Sequence, residues 1–260
     1  MSVIEDLFGV AGKSVVITGG SRGIGEAIAE TFVKAGARVY ICARRAGEVQ
    51  ETATRLAAFG HCIGIPADLS NEAGRKAFIA ALSEHEQSLD VLINNAGTIW
   101  AAPLADYPEE GWDKVFDLNV KGLFFFIRDL VPLLAKSGRH GAPARVINVG
   151  SIDAFHVPKH ETFAYSSSKA AVHQLSLHLA HRLAREHITV NVIAPGLFPS
   201  KMLAGTIESK GEEALVAPIP LKRLTGPSDM AGAAVYLASA ASAYVTGAVL
   251  PVDGGFATLL

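Results

Sequence analysis

Tyr165 and Lys169 stand four positions apart in the stretch Tyr165-Ser-Ser-Ser-Lys169. Four residues is about one helical turn, so on a helix the phenol and the ammonium leave the same face, one above the other. A nearby ammonium favours phenolate over phenol and lowers a tyrosine pKa of about 10 towards neutrality. The pair therefore has the makings of a general acid or base. The same spacing occurs on many helices without any chemistry, so its meaning depends on what other elements bring to it.

A second group near the N-terminus offers a ligand for that chemistry. Ser14 to Thr18 is a compact β-branched run with the pattern of a fully buried parallel strand, and it leads into Gly19-Gly-Ser21-Arg22-Gly23-Ile24-Gly25. Helical periodicity follows from Glu26 to Ala35. Strand, glycine turn and helix N-terminus together form an anion site, because small residues let backbone N–H groups approach a pyrophosphate at the positive end of the helix. The glycines follow T-G-x-x-x-G-x-G rather than the commoner G-x-G-x-x-G. Taken alone, the cluster also fits a tight strand-to-helix turn with no ligand.

The second strand, Arg38 to Cys42, ends in Ala43-Arg44-Arg45. An NAD site presents an acid there to the ribose 2′-hydroxyl, whereas arginine accommodates a 2′-phosphate. Ala43 supplies no acid, and Arg44 with Arg22 makes a cationic cleft suited to phosphate. NADPH is expected over NADH. The alternative is that both arginines are simply solvated.

The elements that must position these groups alternate along the whole chain. Strands are expected at His61 to Pro66, at Val91 to Asn94, at Arg145 to Val149, at Thr189 to Ala194 and at Ala248 to Val252. Helices are expected at Glu48 to Phe59, Glu72 to Gln87, Pro108 to Lys136 and Phe163 to His187, with Pro132 a point of kinking. Repeated strand-helix units specify a doubly wound (Rossmann) α/β fold, a seven-stranded parallel sheet with ligands at the carboxyl ends of its strands. The polar motifs fall there: Asp68-Leu69, then Asn94-Asn95-Ala96-Gly97, Gly150-Ser151, Pro195-Gly196 and Asp253-Gly-Gly255. Asp68 suits either the cap of the next helix or an adenine amino group. Asn119 lies amid apolar neighbours and needs a partner. No linker divides the 260 residues, so one domain is expected over 1–260, and the irregular segment 197–225 has the length of a substrate lid.

Composition narrows the alternatives. The formal net charge is −2 and half of the residues are apolar, which argues against bulk-electrostatic binding of nucleic acid or of a membrane surface. The longest apolar runs fall well short of the ~20 residues a membrane span requires. No secretory pattern opens the chain. Cys42 and Cys62 lie in strand-like runs and read as reduced, structural thiols, consistent with the cytoplasm. His178 and His181 share a helix face but lack acidic or cysteine partners, so no metal site is expected.

Taken in order, Thr18-Gly19 to Gly25, Asp68, Asn94 to Gly97, Asn119, Ser151, Tyr165 to Lys169, Pro195-Gly196 and Val252 to Gly255 resemble the short-chain dehydrogenase/reductase family over nearly the full length. The chain looks most like its 3-oxoacyl (β-ketoacyl) reductases. The resemblance implies that Tyr165 donates a proton to a substrate ketone and that Ser151 hydrogen-bonds the carbonyl oxygen. Lys169 would depress the tyrosine pKa and hold the nicotinamide ribose beside Tyr165, while Asn119 positions a water that links Lys169 to solvent. It carries cofactor roles to Gly19, Gly23, Gly25, Asp68, Asn95 and Gly97. Leu197 and Phe198 would face the nicotinamide amide, with a hydroxyl kept nearby at Ser200. A homotetramer packed through the helices after Pro108 and Phe163 is also implied.

Some positions depart from the family's habit. Asp153 and His156 stand where small residues are frequent, which bears on substrate preference. Glu186 takes the place of a basic residue used to dock acyl carrier proteins, although Arg185 is adjacent. Lys201, Lys210, Lys222 and Arg223 fit either a coenzyme phosphate or solvent. Met202, Leu203, Ile207, Leu215 and Ile219 fit either an acyl site or packing of the lid. The expected reaction is hydride transfer from NADPH to a ketone, on a 3-oxoacyl thioester or related β-keto compound. A polyol, sugar or steroid-type alcohol dehydrogenase shares the same parts, and a non-catalytic dinucleotide sensor is the alternative from another class.

Overall fold

The computed structural model describes residues 2–158 and 160–257, without the side chains of Lys201, Met202, Ala204, Thr206 and Lys210. The chain opens with a short helix α1 (Val3–Phe8), which Ser2 and Glu5 cap reciprocally. The sequence then alternates β1 (Ser14–Thr18), α2 (Gly23–Lys34), β2 (Arg38–Ala43), α3 (Ala46–Ala57), β3 (Cys62–Pro66), α4 (Glu72–Ser83) and β4 (Val91–Asn94). After α5 (Glu109–Phe116), a π-helical turn (Asp117–Gly122) and α6 (Leu123–Ser137) come β5 (Ala144–Val149), α7 (Phe163–Leu183) and β6 (Ile188–Pro195). Two short helices, α8 (Lys201–Lys210) and α9 (Glu212–Val216), precede α10 (Pro227–Ala238) and β7 (Val249–Val252).

The seven strands form one parallel sheet in the order β3-β2-β1-β4-β5-β6-β7. Side chains alternate across a strand, so a parallel strand covered on both faces must be apolar throughout. Accordingly Val15 and Ile17 enter one core with α2, α3 and α10, while Val16 enters the other with α4, α6 and α7. The chain crosses from one side of β1 to the other between β3 and β4. A crevice opens at such a reversal, beyond the carboxyl ends of the strands.

Two expectations about helices are corrected. The stretch Pro108 to Lys136 is helical without a break but not regular: α-helix gives way at Phe116 to a π turn holding Asn119 and resumes at Leu123. Pro132 lies inside α6, which continues to Ser137. Helix α7 ends at Leu183 in a tighter turn over Ala184–Glu186, short of His187. Among the described residues no helix is long and apolar enough to cross a membrane.

Candidate active site

A cleft of about 910 Å³ follows the carboxyl ends of the strands. One end is built by the glycine turn. Gly19 takes φ +65°, which an L side chain rarely adopts, and a β-carbon there would stand 2.9 Å from Asn95 Nδ2. At Gly25 a β-carbon would overlap both Asn95 Nδ2 and the Gly19 carbonyl oxygen. These glycines therefore let β1, α2 and the β4 exit pack as one unit. Asn95 clamps it: its Nδ2 donates to the carbonyls of Thr18 (3.0 Å) and Gly19 (3.1 Å). Thr18 Oγ1 accepts from the backbone of Asn95 and Ala96 at 3.0 and 2.9 Å.

Ser21, Arg22, Gly23, Ile24 and Arg44 line the same end of the cleft. Arg22 and Arg44 are exposed, and among the described residues neither forms an ion pair. Neighbouring Arg45 is different, since it pairs with Glu48 at 2.5 Å. Two unneutralised guanidinium groups beside a backbone cradle fit a phosphorylated dinucleotide.

At the other end, α7 carries Tyr165 and Lys169 on the turn-spaced face anticipated from sequence. Ser151 follows β5 and begins a 3₁₀ turn (Ile152–Ala154), its Oγ accepting from the Asp153 N–H at 3.1 Å. The hydroxyl also stands beside the Tyr165 phenol and favours its ionised form. Lys169 is buried, and its Nζ donates to the Val149 carbonyl at 2.8 Å and lies 5.6 Å from the centroid of the Tyr165 ring. Gly97 lies over this group, as a β-carbon there would stand 3.4 Å from Asn119 Oδ1 and 3.7 Å from Lys169 Nζ.

The electrostatics correct the simplest reading of the Tyr-Lys spacing. Burial pushes the Tyr165 phenol up to about 12, with the Ser151 hydroxyl opposing the rise and Asp153 adding to it. Burial also draws Lys169 down to about 8, and Asp153 works the other way. In the chain alone, desolvation outweighs the attraction between phenolate and ammonium. The phenol is thereby held protonated.

Asn119 sits behind the cleft wall, 2% exposed. Its Oδ1 accepts from Thr98 N at 2.9 Å, and its Nδ2 donates to Thr98 O at 2.9 Å and to Ser168 Oγ at 3.0 Å. Ser168 Oγ in turn donates to the Tyr165 carbonyl at 2.7 Å. The π turn thus fastens the β4 exit to the catalytic helix through one side chain. A buried ladder does similar work deeper in the sheet, where Asn94 Nδ2 donates to Asn148 Oδ1 (2.9 Å) and Asn148 Nδ2 to Ser176 Oγ on α7 (2.9 Å).

Of the residues singled out from sequence, Gly19, Leu69, Asn95, Ala96, Gly97, Ser151, Tyr165, Lys169, Pro195, Gly196, Phe198 and Ser200 line the cleft with the arginine end. Gly25, Asp68 and Asn119 do not. Asp68 Oδ1 is taken by the backbone and hydroxyl of Ser70 (3.0 and 2.7 Å), and the cap of α4 is Asn71 rather than Asp68. Of the apolar residues in the lid segment, Leu203 and Leu215 line the cleft, whereas Ile219 is buried against Gly254. Lys201, Met202 and Lys210 lie outside the described side chains. Lys222 donates to the Ala217 carbonyl at 2.5 Å and Arg223 pairs with Asp229 at 2.5 Å, so both serve local structure.

Sequence reasoning missed Thr18 Oγ1, the Val149 carbonyl and Ser168. Only Ser168 left a signal, a buried hydroxyl beside the Tyr-Lys turn. Among the described residues no group of three His, Cys, Asp or Glu side chains is placed to hold a metal. Cys42 and Cys62 are free and buried, with burial raising their thiols to about 12 and about 11.

A parallel sheet of this order, a glycine cradle at the first strand and a Ser-Tyr-Lys group across the crevice define a short-chain dehydrogenase/reductase, and the chain belongs to that family of oxidoreductases. Residues 19–257 match a family profile described as enoyl-(acyl carrier protein) reductase. The chain is 51% identical over 250 residues to the rhamnolipids biosynthesis 3-oxoacyl-[acyl-carrier-protein] reductase of Pseudomonas aeruginosa, covering 96% of this chain and 98% of that protein. The 2-dehydro-3-deoxy-D-gluconate 5-dehydrogenase of Pseudoalteromonas atlantica is 34% identical, with 96% and 97% covered. The solved Pseudomonas aeruginosa RhlG/NADP active-site complex superposes with a TM-score of 0.94 at 50% identity, covering 97% of this chain and 99% of that one.

Proposed function

We propose that the protein is an NADPH-dependent reductase of 3-oxoacyl thioesters or related β-keto compounds, giving the 3-hydroxy product. The observation that carries the reading is one cleft with two unpaired arginines at one end and the Ser151, Tyr165 and Lys169 group at the other. The 51% identical relative is named for that reaction, and the 50% identical structure holds NADP.

The cradle from Gly19 to Gly25 and the Asn95-Ala96-Gly97 turn would hold the pyrophosphate and ribose, with Arg22 and Arg44 on the 2′-phosphate. Pro195, Gly196, Phe198 and Ser200 line the nicotinamide side. When bound, NADPH supplies the hydride. The chain's own task is the oxygen of the ketone: Ser151 hydrogen-bonds it and Tyr165, held protonated by burial, delivers its proton as negative charge develops. The Lys169 ammonium faces the same region and favours the resulting phenolate once it forms. A water reaching Lys169 past the π turn would return the proton, with Asn119 setting that turn's position through Thr98 and Ser168. Segment 197–225 would act as a lid over the acyl chain, through Leu203 and Leu215, within a single domain spanning 1–260. We further propose a cytoplasmic homotetramer.

Two observations favour other substrates: the family profile is described for enoyl reductases, and one relative is a sugar-acid dehydrogenase. NADPH oxidation by the purified protein should be followed with a 3-oxoacyl thioester, the matching 2-enoyl thioester and a panel of ketoses. Turnover confined to the 3-oxo compound is the expected result. Preference for the enoyl ester or for a sugar overturns the assignment.

A further inference from the structure

The substrate side of the cleft contains a carboxylate that the proposed mechanism does not use. Asp153 lies in the 3₁₀ turn that Ser151 opens, tied to that serine by its own N–H, and it lines the cleft together with Tyr165 and Lys169. A reductase of this kind has no need of a negative charge beside its carbonyl site, because the reaction itself generates negative charge on the ketone oxygen. The charged and titratable groups around Asp153 are His156 and His160 on the loop that follows, and Tyr165 and Lys169 on α7. Among the described residues, no hydrogen bond or ion pair to the Asp153 side chain is formed.

Resting on the reading above, we infer that Asp153 is a specificity-determining residue that offsets the Lys169 ammonium and turns away substrates with a carboxylate next to the ketone. Without it, the site would present one uncompensated ammonium, a setting that draws in anions such as free 3-oxo acids and 2-oxo acids. With it, the site near the reacting carbon is close to neutral, and the like charge of a substrate carboxylate is repelled at close range in a partly desolvated cleft. A thioester or ester keeps the carbon skeleton of the acid and loses its charge, so it passes. Selection of this kind works by disfavouring the wrong ligand rather than by gripping the right one. Burial holds the Asp153 carboxyl above its usual range, with His156, His160 and Lys169 opposing that rise. His156 adds a buried Nδ1 with no hydrogen-bond partner among the described residues, and its ring lies tilted against Phe256 with centroids 5.1 Å apart. It completes a polar wall on this side of the cleft.

The test compares kcat/KM for matched pairs that differ only in charge: acetoacetate against its methyl ester, and a 2-oxo acid against its ester. Wild type should favour the neutral member of each pair. Asp153→Asn should raise the ratio of acid to ester by about tenfold or more, chiefly through KM of the acid, and Asp153→Glu should keep the wild-type ratio. Retained NADPH fluorescence on binding shows that a variant is folded, and Asp153→Ser replaces the asparagine variant if that one is not. An unchanged ratio in the folded neutral variant overturns the inference, as does a glutamate variant that behaves like asparagine. Because the ratio can be read with any ketone pair that is turned over, loss of the 3-oxoacyl assignment would show separately, as a failure of the ester to outcompete unrelated ketones.

Discussion

Replacing Asn119 with alanine tests how the catalytic helix is held. The side chain is 2% exposed and makes three hydrogen bonds, two to the backbone of Thr98 and one to Ser168 Oγ. Truncation leaves the half-buried Thr98 N–H and C=O without their partner, toward the lower end of the about 1–3 kcal/mol an unsatisfied group costs. The Ser168 hydroxyl still donates to the Tyr165 carbonyl, so its loss of an incoming donor adds little. The expected destabilisation of Asn119→Ala is about 2–4 kcal/mol. Ser168→Ala removes the bond from Asn119 and the bond to the Tyr165 carbonyl, but leaves Thr98 paired, and should cost about 1–2 kcal/mol. Urea unfolding of the two variants, compared at equal slope, gives the difference directly. Turnover should fall in the same order, because Tyr165 and Lys169 lose the anchor that sets their turn. If Asn119→Ala matches wild type in stability, or ranks below Ser168→Ala in its effect, then the π turn is not what fixes α7 and the argument for Asn119 fails.

Three further outcomes follow from the same geometry. Tyr165→Phe should lower turnover by at least ~10²-fold while NADPH titration stays within about twofold of wild type, since the proposed proton donor is lost and the ring survives. Arg44→Asp should invert the cofactor preference by placing an acid at the ribose, and an unchanged NADPH/NADH ratio of kcat/KM would refute the 2′-phosphate role. The cofactor-free protein should show a two-sided pH dependence of stability. Lys169, held at about 8 against 10.5 when unfolded, binds fewer protons in the native state between those values, so stability rises with pH across that window. Tyr165, held at about 12 against 10, keeps a proton the unfolded chain has lost, so its contribution falls between pH 10 and 12. The Cys42 and Cys62 thiols, raised from 9 by burial, add to the fall, and Lys13, lowered by burial, adds to the rise, so Lys169→Met should flatten the rise in urea midpoint between about pH 8 and 9 without abolishing it.

The sheet and the two ends of the cleft were legible in sequence because each strand is a short β-branched run that ends in a polar or glycine motif. Ser14–Thr18 and Val91–Asn94 show this plainly, with every side chain buried. The π turn was not legible: Asp117 to Gly122 carries no proline, its single glycine is tolerated inside many regular helices, and regular helix gives way there to a Leu69 carbonyl packed close to Gly122. That contact is tertiary and leaves no local signature. The sign of the Tyr165 shift was misread for a related reason. Spacing reports that Lys169 is near, whereas the pKa depends on how much water both groups lose, and only the closed fold settles that. Asp68 shows a third limit, since an aspartate past a strand suits several roles and Ser70, two positions on, claims its oxygen.

The Asn94-Asn148-Ser176 ladder has a consequence for how the molecule assembles. Parallel strands pair late and over long loops, so the chain must bring β4, β5 and α7 together before most of their contacts reward it. Rotating α7 by one residue, or slipping β5 by one position, would bury two amides with no partners at about 1–3 kcal/mol for each orphaned group. Hydrophobic packing alone would tolerate such near-misses, because Val172, Ala180 and Leu183 offer a broad greasy face. The ladder makes docking nearly all-or-none, proofreading the seating of the helix that carries Tyr165 and Lys169.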